Sequence, residues 1–164
     1  MASGNSLLMW TALQGEPPAS NYATLDTRNN HPCLDFDQTT GETIYFSGVM
    51  PQHYSDTTGV TVYLHWAGSV VGTNTVGWLI AFERMGDGGT DIDSDSFASD
   101  QTVTAEAADA TSGILDVSSA AVTKGANMDS VVAGDLFRLR VTRDVATDTL
   151  AGDAELYAVE IRET

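Results

Sequence analysis

The chain predicts an all-β fold, an antiparallel β-sandwich or barrel of about eight short strands. Three observations carry this. Apolar and polar residues alternate at period two, the apolar runs are rich in β-branched and aromatic residues, and each run is short and bounded by Gly, Asp, Asn, Ser or Thr. A length of 164 residues suits one domain with its own core.

The first eighteen residues differ from the rest. They are small and polar around the apolar run Leu7–Trp10 and close on Pro17 and Pro18. They read as an N-terminal arm over 1–18, either a frayed terminus or an added edge strand, or a segment that docks on a neighbouring subunit. In the docking reading Leu7, Leu8, Met9 and Trp10 make the contact between subunits. The folded domain is expected over 19–164.

The expected strands follow in order: Cys33–Asp37, Thr43–Met50, Val60–Ala67, Val76–Arg84, Thr102–Ala107, Ile114–Thr123, Leu136–Arg143 and Ala154–Arg162. In the third, Val60, Val62, Leu64 and Trp66 share the core face, and Thr61, Tyr63 and His65 the other. In the seventh, Phe137, Leu139 and Val141 point inward between Arg138 and Arg140. In the eighth, Tyr157, Val159 and Ile161 are the expected inward set. One helical turn is expected at Asn127–Asp135, with an Asn or Asp cap and Gly134 ending it.

Twenty-three acidic residues against one lysine and six arginines give a net charge of −16, so a nucleic-acid backbone is repelled and is excluded as a partner. No apolar run is long enough for a membrane helix or a signal-peptide core, which points to folding in a cytoplasm. The single cysteine, Cys33, reads as a small buried hydrophobe.

The stretch Asp87–Phe97, DGGTDIDSDSF, raises the question of a cation. Asp91, Asp93 and Asp95 have the spacing of the first EF-hand ligands, but Ser96 replaces the turn glycine and Thr102 the closing glutamate, and no helices flank it. What remains is a looser calcium site on Asp87, Asp91, Asp93 and Asp95, or a turn with solvated carboxylates. The histidines His31, His53 and His65 form no local metal motif. No nucleophile elbow, Cys/His arrangement or zinc-hydrolase motif occurs, so no catalysis is expected.

The segments HPCLDFDQTTGETIYFSGVMPQHY, VTVYLHWAG, VGWLIAFERMGDGGTDIDSDSF and GDLFRLRVTRDVATDTLAGDAELYAVEI resemble small jelly-roll β-sandwich structural proteins of tailed bacteriophages, over residues 20–164. The resemblance implies a jelly roll and a place on the virion surface. It implies a capsid decoration or cement protein that binds the major capsid protein as a homo-oligomer, in the preferred case a trimer. The alternative is a carbohydrate- or receptor-binding module of a fibre or lectin type, with calcium in the aspartate loop and an aromatic stacking on sugar. A third reading is a subunit of an extracellular filament.

Overall fold

A computed structural model describes residues 4–164. The strands are β1 (Ser6–Thr11), β2 (Thr24–Arg28), β3 (His31–Phe36), β4 (Thr43–Val49), β5 (Gly59–Gly68), β6 (Thr75–Met85), β7 (Gln101–Ala107), β8 (Leu115–Thr123), β9 (Leu136–Arg143) and β10 (Ala154–Glu163). The eight expected strands all form, with ends within two residues of the alternation pattern.

They make two antiparallel sheets. Sheet A runs β2-β3-β10-β5-β8, and sheet B runs β4-β9-β6-β7. In sheet A one edge of β10 is shared: its first residues pair with β3 and its later ones with β1, while β5 lies along the other edge. The inner faces bury the alternating apolar sets, Val60, Val62, Leu64 and Trp66 from β5 and Phe137, Leu139 and Val141 from β9. Between the sheets Trp78 packs edge-on against Phe36 at 5.0 Å and lies 6.3 Å from Trp66. This arrangement of two packed sheets around one core is the β-sandwich expected of the alternation.

Of the readings of the N-terminal segment, the added strand is the one the structure has, not an arm free to dock elsewhere. Ser6–Thr11 is strand β1 of sheet A, and both Leu7 and Trp10 lie in the chain's own core. Trp10 sits between Phe46 and Phe137 and donates its indole N–H to the Ser47 carbonyl at 2.9 Å. A register shift between Ser6 and Leu8 lets two residues three apart reach the same interior. The sandwich therefore begins well before residue 19. Of the four residues assigned to an inter-subunit contact, Met9 is exposed and Leu8 is partly buried against the core.

Two further differences have local causes. A register shift between Leu156 and Ala158 replaces Tyr157 by Leu156 in the core, so the Tyr157 ring is left outside. The expected helical turn shortens to a 3-10 turn at Ala126–Met128, entered through Gly125 without side-chain capping, and Gly134 takes the positive φ that leads into β9.

Candidate functional site

The outer face of sheet A carries a cleft of about 470 Å³, lined by Arg28, Asn29, His31, Ser112, Leu115 and Tyr157, with Gly113 at its wall. Its position follows from three local features. Asn29 and Asn30 both adopt positive φ, the two-residue turn that folds β2 back on β3 and brings Arg28 opposite His31. The β-bulge in β10 turns Tyr157 outward. Leu115 opens β8 on the outward side, opposite Ala67, and is 57% exposed.

Arg28 is the hub. Its Nη1 donates to Glu155 Oε2 at 2.9 Å and to the Gly68 carbonyl at 3.2 Å, and its Nη2 to Ser112 Oγ at 2.8 Å. Ser112 Oγ in turn donates to the Ser69 carbonyl at 2.8 Å, which fixes the β7–β8 loop against the end of β5. Gly113 has φ +85, and a Cβ there would come within 2.7 Å of the Arg28 guanidinium carbon, so this position admits only glycine while Arg28 keeps its place. The Tyr157 hydroxyl donates to Glu155 Oε2 at 2.9 Å.

Behind this hub lies a buried acidic patch. Glu155 is 8% exposed and pairs directly across the strands with Asp35. The hydrogen bond from Arg28 to Glu155 holds the guanidinium above its ordinary pKa. Burial, followed by the hydrogen bond to Glu155, raises that of the Tyr157 phenol, which stays a donor. Burial pushes Asp35 up to about 6, reinforced by the charges of Glu155, Asp26 and Asp153 and opposed by the Cys33 hydrogen bond. Cys33 is buried as expected, and desolvation followed by the Asp35 charge pushes its thiol up to about 12, away from the reactive thiolate.

The aspartate loop is built differently from a cation cage. The Asp91 carbonyl accepts from the backbone N–H of Ser94 and Asp95 at 3.0 and 2.9 Å, and its Oδ1 accepts from the N–H of Asp93 at 3.1 Å, so Asp91 organises a turn. Asp87, Asp91 and Asp93 are exposed. Among the described residues no three His, Cys, Asp or Glu side chains gather at a spacing that could hold a metal ion, the calcium candidates Asp87, Asp91, Asp93 and Asp95 included.

The loop instead crosses the outer face of sheet B. Phe97 lies 5.2 Å from the Tyr45 ring and 4.7 Å from the Arg140 guanidinium, and the Ala98 N–H bonds the Phe82 carbonyl. A polar depression beside it contains Tyr45, Asp100 and Arg140. Its ring, however, is already covered by Phe97 and by Arg138 at 5.0 Å.

No protein-family model and no curated protein matches this chain. Solved structures do resemble it. One is a CBM35 module of Abf62 from Cellvibrio japonicus, with a TM-score of 0.58 at 13% identity over 97% of this chain and 95% of that one. Another is the isomalto-dextranase of Arthrobacter globiformis T6 complexed with panose, with a TM-score of 0.52 at 17% identity over 86% of this chain. This chain spans 20% of that enzyme's length. At these identities the likeness establishes the β-sandwich fold.

Of the residues singled out from sequence, His31 reaches the cleft, whereas His53 and His65 do not line it. Arg28, Asn29, Ser112 and Leu115 were missed. The Asn29–Asn30 pair between Thr24–Arg28 and His31 was the available signal for β2 and for Arg28. Nothing local pointed to Ser112, whose role depends on a partner 84 residues away.

Proposed function

We infer that this domain is a carbohydrate-binding module without catalytic activity of its own, and that the Arg28–Tyr157 cleft is its binding site. The observation that carries this is the composition of the cleft. An outward tyrosine and an exposed leucine offer apolar contact beside Asn29, His31 and Ser112, the pairing of flat apolar surface and hydrogen-bonding groups that a sugar ring needs. The hub beneath is fixed by Glu155 and by backbone carbonyls, so the polar groups are held in place before any ligand arrives. The fold neighbours support the reading, since one is a CBM35 module and the other an isomalto-dextranase complexed with panose.

This is the alternative to the virion-surface role. The contact expected for that role lay on Leu7, Leu8, Met9 and Trp10, of which Leu7 and Trp10 lie in the chain's own core. The calcium of the sugar-binding alternative is not part of the proposal.

The test is isothermal titration of the chain with neutral oligosaccharides, isomaltotriose, panose and xylohexaose among them, alongside the variants Leu115→Ala, Tyr157→Ala and Tyr45→Ala. At least one sugar should bind, with affinity reduced about tenfold or more by the two cleft variants and unchanged by Tyr45→Ala. Leu115 is exposed, so its replacement leaves the fold intact. Binding that ignores both cleft variants, or no binding to any glycan, defeats the assignment.

A further inference from the structure

We propose that the cleft accepts uncharged sugars and rejects uronate- and sulfate-bearing ones, and that Glu155 is the residue that sets this preference. The inference rests on the glycan-binding reading of the cleft. An arginine at a sugar site ordinarily invites a carboxylate, through a planar fork that matches it. Here the invitation is already taken. Arg28 Nη1 faces both oxygens of Glu155, at 3.2 and 2.9 Å, and Nη2 is committed to Ser112.

An acidic ligand would have to draw the guanidinium away from Glu155. That would leave an 8% exposed carboxylate without its counter-charge, directly across the strands from Asp35. The Arg28 side chain is 34% exposed but that of Glu155 only 10%, so it is the carboxylate that would be left uncompensated, and the exchange of one anion for another gains nothing. The wider charge distribution acts in the same direction. Each of the six arginines is ion-paired with a carboxylate, and the net charge is −16. An anionic glycan therefore meets a repulsive field on approach and no unneutralised arginine on arrival. What the cleft still offers is neutral: the Tyr157 ring, the Leu115 side chain and the Asn29 amide.

The preference is measured at pH 8, above the ordinary histidine range. The full chain is titrated with xylohexaose and mannohexaose, and with hexagalacturonate and a glucuronate-substituted xylo-oligosaccharide. A neutral sugar should bind, and the acidic ones about tenfold or more weaker. Glu155→Gln should raise the acidic-to-neutral affinity ratio by about tenfold or more, since it releases the Arg28 charge without changing the side chain's shape. Salt gives a second readout that needs no variant. Between about 0.02 and 0.5 M, wild-type affinity for a neutral sugar should stay flat, and any residual acidic binding should strengthen as repulsion is screened.

Wild-type binding of acidic sugars as tight as neutral ones, weakening with salt, overturns the preference. So does a folded Glu155→Gln with an unchanged ratio. If neutral and acidic sugars bind alike and Leu115→Ala weakens both, the preference fails while the cleft assignment stands. Binding of no sugar at all removes both.

Discussion

The side chains of Arg143 and Asp148 form a closed ion pair inside the protein, 0% and 1% exposed, with Nε to Oδ2 at 2.7 Å and Nη2 to Oδ1 at 2.9 Å. The remaining guanidinium donors reach the carbonyls of Phe36, Gly152 and Leu150. All five N–H groups are thus satisfied, and one side chain at the end of β9 ties the β9–β10 loop to β3. The loop between β9 and β10, acidic in sequence, wraps Arg143.

The first prediction follows from that burial. Asp148→Ala leaves a guanidinium without counter-charge in the interior and should cost roughly 3–5 kcal/mol. Urea denaturation measures it. A loss below about 1 kcal/mol would mean that the pair is far more hydrated than its geometry shows.

Trp10 gives the second. Its ring fills space between Phe46 and Phe137, so Trp10→Ala should destabilise by about 3–5 kcal/mol. Met9→Ala, one residue away and 62% exposed, should change stability by less than about 0.5 kcal/mol. A free arm would give two small values, and equilibrium unfolding of the two variants separates the cases.

These residues show where the sequence was readable. Val60 to Trp66 and Phe137 to Val141 alternate without interruption, and their buried faces follow from period two alone. Leu7 and Trp10 break that period because a bulge separates them, and Tyr157 was assigned inward because a bulge at 156–158 is invisible in the pattern. The cleft was the least legible part. Arg28 and Glu155 are 127 residues apart, and only the pairing of β3 with β10 brings them together. In a chain with 23 acids, no rule of spacing marks Glu155 as the one that matters.

Asp35 gives a prediction with a sign. Its pKa is raised by burial to about 6, against about 3.9 in an unfolded chain. Protonation therefore favours the folded state, an advantage fully present below pH 4 and lost as pH rises through 6. Asp35→Asn removes the charge that the native state resists, and should stabilise by about 1–2 kcal/mol at pH 8, allowing for partial solvent screening. The gain should shrink toward zero by about pH 4. Urea curves at the two pH values test it, and an Asn variant less stable than wild type at pH 8 would reverse the sign.

Phe97 holds the last prediction, and with it the role of the aspartate loop. The loop leaves β6 at Met85, turns through Asp91 and returns over sheet B, where Phe97 rests on Tyr45 between Arg138 and Arg140. Arg140 also pairs with Asp100 at 2.7 Å, just before β7 begins. The anchor is thus an aromatic and cationic cluster at the loop's far end, and of the acidic residues ahead of it Asp87, Asp91 and Asp93 are exposed to solvent while Asp95 is half-buried. Phe97→Ala should loosen the loop without unfolding the sandwich, because Phe97 lies outside the core cluster. Global stability should fall by only about 1–2 kcal/mol. Amide exchange over 86–98 should accelerate far more than in β6 or β9, and limited proteolysis should cut within that segment first. Equal acceleration in the loop and the two strands would mean that Phe97 supports the whole sandwich rather than pinning a flap across it.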